Sequence, residues 1–343
     1  MHAGFDTAVA ASGRTRPLER VRVQAPGRLH LGFLDPAGTL GRPFGSLGLV
    51  IDGPQTLVDL ARAQADSFDG FTGGEAELQR ARTHVETLRR ATGCRAPLAL
   101  HLRSALPAHA GLGSGTQLAL AVGRAFCAAF GIGMETPQLA GVLGRGARSG
   151  VGVAGFDQGG LLVDGGPRAD GAPAALLARI ALPAEWRVLL VLDPRCRGLS
   201  GAAEKAALER IEPLPRSAAA EICHEVLMRV LPGAAGAEFA PFAAGLTRVQ
   251  QVLGGHFAPA QEGRAFTSAP VGRLLHWVAR NAHAGIGQSS WGPTGFAFLP
   301  SEAEAHAVLA AARAAGLVDP ALETHVIRAR NHGAVVTEPR AGG

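Results

Sequence analysis

The chain of 343 residues carries 33 basic against 28 acidic side chains, a formal charge of +5, with 47% hydrophobic and 18% charged residues. That balance describes a well-buried globular protein of two domains or one large one and excludes a disordered chain. No apolar run reaches the roughly 18 residues of a membrane span, the N-terminus lacks signal-peptide order, and the arginines are scattered singly, so a cytosolic protein with no membrane and no nucleic-acid partner is expected.

Residues 1–19 mix Gly, Ser, Thr, Ala and Arg without periodicity and read as a loose tail; structure is expected from Val21. From Arg28 to Phe33 the alternation puts Leu29, Leu31 and Phe33 on one face and Arg28 and His30 on the other, which is a strand with one buried face. Helical periodicity follows over Glu75–Ala91, a strand over Leu98–Leu102, and helices over Gln117–Phe130 and Pro137–Arg148. Ser149–Gly166 is Gly-rich and holds two apolar runs. Further strands are expected at Val188–Leu192, Gly295–Leu299, Thr324–Ala329 and Ala334–Thr337. Helices are expected near Arg216–Val230, Phe239–Leu253, Val271–His283 and Ser301–Ala315. The mixture lacks strict βαβ alternation, so it predicts an α+β fold in two halves, 20–170 and 171–343, meeting near residues 170–186.

The most informative stretch is LPAHAGLGSGT, residues 106–116, placed directly before the apolar helix. Gly111, Gly113 and Gly115 free the backbone for close approach, so the N–H groups from Gly111 through Leu112, Gly113, Ser114, Gly115 and Thr116 can converge on a phosphate in the field of the helix N-terminus. The spacing matches neither GxGxxG nor GxxxxGK[ST]. Lysine occurs once, at Lys205, so anion recognition falls to arginine. Cys94, Cys127, Cys196 and Cys223 lack CxxC spacing, His224-Glu225 has no HExxH partner, and no GxSxG elbow is present. Neither a disulfide, a zinc site nor a serine hydrolase is expected. Asp52 and Asp164 read as strand ends.

Three Gly-rich segments, Ala25–Gly48, Pro107–Thr116 and Ala284–Phe296, together resemble the three motifs of the GHMP kinase superfamily. That resemblance implies a two-domain α+β fold with the central loop over phosphates, and it spans Val21 to about Thr337. The second serine usual in that loop is Gly115 here, followed by Thr116. More closely, APGRLHLGFLD, GRPFGSLGLVID, RGARSGVGVAGFDQGGLLVDGG and GQSSWGPTGF resemble the β-ribofuranosylaminobenzene 5′-phosphate synthase family.

The resemblance implies a reaction of 4-aminobenzoate or 4-hydroxybenzoate with phosphoribosyl diphosphate, releasing carbon dioxide and diphosphate, in methanopterin biosynthesis. It implies Mg2+ as cofactor, with the metal ligands unassigned. Diphosphate departure leaves a positive sugar centre and calls for fixed donors, which the 111–116 loop supplies. Arg28 or Arg145 would hold the carboxylate of the arene and Trp291 would offer it a flat wall. Asp157 falls where the superfamily's kinases carry their catalytic aspartate, and would bind Mg2+ or steady the sugar cation. His30, on the same strand face as Arg28, joins the catalytic candidates, and Ser149, Gln288, Ser289 and Ser290 the substrate-binding ones. An ATP-dependent small-molecule kinase with Asp157 as base, and a non-catalytic phosphate-ligand sensor, remain alternatives at this stage, and a homodimer stays open.

Overall fold

The protein is described here from a computed structural model covering residues 15–168, 174–199 and 201–339. Two long antiparallel strands, β1 (Arg20–Asp35) and β2 (Phe44–Arg62), form its centre. Around them the first half adds β3 (Ser67–Gly70), α1 (Glu75–Thr92), β4 (Leu98–Ser104), α2 (Ser114–Phe130), α3 (Thr136–Val142), α4 (Val151–Gln158), β5 (Leu161–Asp164) and β6 (Leu176–Ile180). The second half runs β7 (Arg187–Leu192), α5 (Gly201–Arg210), α6 (Arg216–Glu225), a π-helical turn over Val226–Val230 and α7 (Leu231–Ala235). It continues with α8 (Phe239–Phe257), α9 (Ala269–Asn281), β8 (Gly285–Gln288), β9 (Gly295–Leu299), α10 (Glu302–Ala314), β10 (Glu323–Ala329) and β11 (Val335–Thr337). The expected α+β class is what forms.

The sheet runs β11-β1-β2-β10-β7-β9-β8 and is continuous across both halves. Length makes this possible, because successive parts of β2 serve different partners: Ser46–Leu49 pair with β5, Ile51 and Asp52 with β10, and Leu57–Arg62 with β4. The β1–β2 ladder jumps from Pro26↔Gln55 to Arg28↔Val50, and β10 pairs within the gap that this irregularity leaves. At the end of the chain β11 returns to pair with β1 at Arg22–Gln24. A division at 170/171 is therefore crossed by three strand pairings, β10 with β2, β11 with β1 and β6 with β5. Residues 169–173, at the start of the expected junction, lie outside the described residues.

β1 changes cores midway. Val21, Val23 and Ala25 pack with Val85, Leu118 and Phe126 beneath α1 and α2. Leu29 and Leu31 pack instead with Ile222, Phe242, Leu246 and Phe296 beneath α6 and α8. A strand expected to have one solvated face thus has both faces covered from Leu29 to Phe33, and His30 is only 3% exposed.

Three local departures matter for the site. Residues 1–14 lie outside the described residues, but 15–18 are docked: the Thr15 and Leu18 N–H groups donate to the Gly131 and Ala128 carbonyls at the end of α2. The helix expected over Pro137–Arg148 stops at Val142, because Gly144 and Gly146 take φ of 65° and 84°, the left-handed region a continuing helix cannot use. That early stop leaves Arg145 and Arg148 on a loop. The helix expected over Arg216–Val230 ends as α at Glu225 and continues through the π turn.

Asp164 is the anchor of this loop region. Wholly buried, its carboxylate accepts N–H bonds from Gly150 at 2.7 Å, Gly166 at 2.8 Å and Val151 at 3.2 Å, and the Ser149 hydroxyl at 3.3 Å. Burial still raises its pKa, against the pull of those donors. It satisfies the orphan amides at the start of α4 and thereby fixes the backbone that follows Arg148. Asp164→Ala leaves buried amides without a partner, and urea denaturation at pH 7 is expected to show a loss of about 2–4 kcal/mol. A loss below about 1 kcal/mol would mean that the loop is held by other contacts.

Candidate active site

Three backbone segments meet at positions where a side chain has no room. A Cβ on Gly111 would stand 2.3 Å from the Ser289 carbonyl oxygen, one on Gly292 would stand 2.3 Å from the Ala110 oxygen, and one on Gly198 would stand 2.3 Å from the Trp291 oxygen. Glycine is required at this seam on steric grounds, and at Gly111 also by its φ of 85°. The Ser289 hydroxyl pins the seam to β1: it donates to the Gly111 carbonyl at 2.7 Å and accepts the His30 N–H at 2.9 Å. The Ser290 N–H, from a residue at φ 54°, donates to the His30 carbonyl at 3.1 Å, and the Arg28 guanidinium donates to the Gly111 carbonyl at 3.1 Å. Loop 106–116, β1 and the 288–292 turn are thereby one unit.

Gly113 is the N-cap of α2, with φ of 79°, and the helix axis starts at Ser114. In front of it lies a cavity of about 490 Å³. The loop residues Gly111, Gly113, Ser114, Gly115 and Thr116 border it; the Leu112 side chain instead turns into the core. Arg28, Arg80, Arg145 and Arg148 line the same space, from β1, α1 and the loop after α3. The Nε atoms of Arg28 and Arg145 and an Nη of Arg148 are buried without a hydrogen-bond partner. Burial lowers the Arg28 pKa to about 10, which leaves it cationic at neutral pH, and lowers that of Arg145 as well. Donors that are buried, charged and unpaired are costly in the free protein, and an oxygen-rich anion would complete them.

Of the site candidates named from the sequence, the structure brings most, but not all, to the border of one space. Arg28, His30, Arg145, Ser149, Ser290 and Trp291 line the cavity. Ser289 lies behind it as the pin described above. Gln288 faces a neighbouring compartment, its side-chain amide bonded to Gln261, the Ser290 carbonyl and the Thr267 N–H. Asp157 is the correction: it sits on the last turn of α4, exposed, accepting a hydrogen bond from the Thr136 hydroxyl at 2.6 Å, and does not reach the cavity. Gly152 is the α4 residue that borders the cavity, and Asp157, five residues further on, lies about 140° around the helix from it.

The carboxylate that does reach the cavity is Glu204 on α5, ion-paired with Arg148 at 3.0 Å. Glu204, Arg80 and Arg148 were missed, because nothing near them in sequence distinguishes them from surface charges. A cluster of three or more acidic, His or Cys groups able to hold a metal is absent among the described residues. Mg2+ commonly takes one or two carboxylates, several waters and phosphate oxygens. Glu204 together with a bound diphosphate fits that pattern, whereas Asp164 is saturated by backbone donors.

Residues 79–163 match the GHMP kinases N terminal domain family and residues 244–317 the GHMP kinases C terminal family. The chain is similar to beta-ribofuranosylphenol 5′-phosphate synthase of Archaeoglobus fulgidus, 34% identical over 82% of this chain and 89% of that one. It is 28% identical to the enzyme of the same name from Methanothermobacter thermautotrophicus, over 79% of this chain and 86% of that one. Among solved structures, Streptococcus pneumoniae phosphomevalonate kinase shares the fold at a TM-score of 0.66 and 12% identity, covering 91% of this chain and 100% of that one. Cytophaga hutchinsonii homoserine kinase does so at 0.63 and 15%, covering 93% and 98%.

Two variants separate the structural from the binding role of the loop. Gly111→Ala collides with backbone at a left-handed φ and is expected to lower the melting temperature by several degrees, about 2–4 kcal/mol. Gly115→Ala has ordinary φ, and its Cβ meets only Arg145 at 3.4 Å. It should melt within about 2 °C of the parent and bind inorganic diphosphate about three- to tenfold more weakly by calorimetry. Unchanged diphosphate binding in Gly115→Ala would remove the loop from the anion site.

The buried histidines make a pH prediction. Burial first, then Arg28 and Arg148, lower the pKa of His30 to about 3, and burial with Arg145 and Arg80 lowers that of His84 to about 4. Unfolded imidazoles titrate near 6.5, so the unfolded chain takes up protons that the folded chain refuses. Stability is expected to be full above about pH 6.5 and to fall as the pH drops toward those folded values. Denaturation midpoints compared at pH 7 and pH 5 should show a smaller drop for His30→Gln than for the parent; equal drops would mean that His30 is not held neutral.

Proposed function

The chain belongs to the beta-ribofuranosylphenol 5′-phosphate synthase family, on a GHMP kinase-type fold, and from that premise we propose that it joins an aromatic acid to phosphoribosyl diphosphate with loss of carbon dioxide and diphosphate. The acid is 4-aminobenzoate or 4-hydroxybenzoate, the product an aryl riboside 5′-phosphate of methanopterin biosynthesis. The observation that carries this reading is the cavity of four arginines around the Gly113–Thr116 helix start, with one carboxylate among its described lining residues. Such a site suits a substrate with two separated phosphate-bearing ends better than one with a single charge.

In this reading the C1–O bond to diphosphate breaks and leaves positive charge on the sugar. The ring carbon that bears the carboxylate supplies the electron pair for the new C–C bond. The bond to the carboxylate then breaks, carbon dioxide departs, and its electron pair restores the aromatic ring, so no strong base is needed. Arg28, Arg145 and Arg148 hold the leaving oxygens with donors that need no reorganisation, and the N–H groups at the start of α2 add to them. Mg2+, held by Glu204 and the diphosphate, would supply further charge neutralisation to the leaving group. The kinase alternative requires Asp157 as its base, and that carboxylate is outside the cavity.

Incubation with phosphoribosyl diphosphate, Mg2+ and carboxyl-labelled 4-aminobenzoate or 4-hydroxybenzoate should release labelled carbon dioxide. Acceptor-dependent release of ADP from ATP, without label release, would favour a kinase. Glu204→Gln is expected to lower kcat by about a hundredfold, whereas Asp157→Asn should stay within about twofold of the parent. The reverse order would return Asp157 to the mechanism.

A further inference from the structure

Beside the arginine cavity lies a second, smaller compartment of about 90 Å³ that nothing in the anion chemistry uses. It is lined by Phe33 of β1, Leu253 and Phe257 of α8, Phe266, Ile286 of β8 and Trp291. Its size is of the order of the roughly 150 Å³ apolar cavity that takes up a benzene in another protein, too small for a nucleoside. The walls are rings: Trp291 packs on Phe257 with centroids 4.4 Å apart, and His30 meets Phe33 edge-on at 4.7 Å. His30, Phe33, Ser290 and Trp291 line both spaces and form the boundary between them.

The polar atoms of the compartment divide sharply. The Gln250 amide is tied to the Leu31 carbonyl and the Gln288 N–H, and the Gln288 amide is tied as described above. Two buried nitrogens are left without a partner, His30 Nε2 and Trp291 Nε1, and both belong to the boundary residues. A buried Trp N–H normally finds an acceptor, and an orphaned one at a cavity wall marks where a ligand acceptor belongs.

We propose that this compartment is the acceptor site for one flat aromatic ring, whose carboxylate lies at the boundary against Trp291 Nε1 and His30 Nε2. The inference rests on the transferase reading above and extends it to the second substrate. It meets the geometric need of that reaction, since the ring carbon to be attacked bears the carboxylate and must face the sugar in the arginine cavity. The neutral His30 presents a hydrogen-bonding nitrogen without adding positive charge, so the carboxylate is positioned by weak donors at the edge of the arginine cavity and not by a direct ion pair. That keeps it less stabilised than a direct Arg pair would, and eases loss of carbon dioxide.

The test measures binding of benzoate and 4-hydroxybenzoate separately from binding of phosphoribosyl diphosphate with Mg2+. Trp291→Phe keeps the flat wall and loses the N–H; it is expected to bind both benzoates about tenfold more weakly and phosphoribosyl diphosphate within about twofold of the parent. Ala265→Phe, at an exposed residue on the compartment's rim, is expected to abolish benzoate binding with the same sparing of the sugar substrate and an unchanged melting temperature. Benzoate affinity unchanged in both variants, or competition between benzoate and phosphoribosyl diphosphate in the parent, would overturn the assignment. If benzoates bind as expected but phosphoribosyl diphosphate gives neither binding nor label release, the compartment stands and the transferase reading falls. If label is released while benzoate affinity ignores both variants, the reaction stands and the compartment falls.

Discussion

The steric seam among Gly111, Gly198 and Gly292 is the constraint on which the rest of the site depends. Backbone meets backbone there at distances no Cβ allows, and one hydroxyl, Ser289, ties the seam to the strand that carries Arg28 and His30. Because the loop belongs to the first half of the chain and the 288–292 turn to the second, the seam fixes the halves to each other at the site itself. The continuous sheet through β2 and β10 does so from below. A ligand in the cavity therefore meets groups whose positions are already set, which is the condition for stabilising charge without reorganisation.

Charge is the opposing term. Four arginines share the cavity with a single carboxylate among its described lining residues, and several of their nitrogens are buried and unpaired. The free protein holds these donors at a cost in stability, offset by the apolar cores on either side of β1. The same field, acting with burial, keeps His30 and His84 neutral. A polyanion removes the imbalance, so ligand binding and folding are linked at this site.

Much of the fold was legible because periodicity reports burial directly: the strands at Val188–Leu192 and Gly295–Leu299 and the helix after the glycine loop stand where alternation and helical spacing placed them. The errors have local causes. β2 was read as ending at Asp52 because Gly53 and Pro54 interrupt the alternation there, yet the strand continues to Arg62, and that interruption is where β1 slips register and β10 enters. The helix after Pro137 was read too long because an apolar period ran past Gly144 and Gly146, whose left-handed φ ends it. Asp164 ends β5 as its place in the sequence suggested, but only the folded chain shows its carboxylate as the acceptor that organises the start of α4.

The sequence by itself determined the chemistry available to the site: a glycine-rich helix start, arginine in place of lysine as the anion ligand, and a polar turn ending in Trp291. These are properties of residue type and near-neighbour spacing, and they survive any error in packing. Only the tertiary structure decided which carboxylate enters the cavity. Asp157 and Glu204 are equally plain acids in the chain, but the direction of α4 carries one to the surface and the path of α5 brings the other beside Arg148. The aromatic compartment was likewise invisible, since Phe33, Phe257 and Trp291 are far apart in sequence and become one surface only when β1, α8 and the 288–292 turn close on each other. Local spacing encodes what a segment can bind, whereas long-range packing selects which segments face the same space.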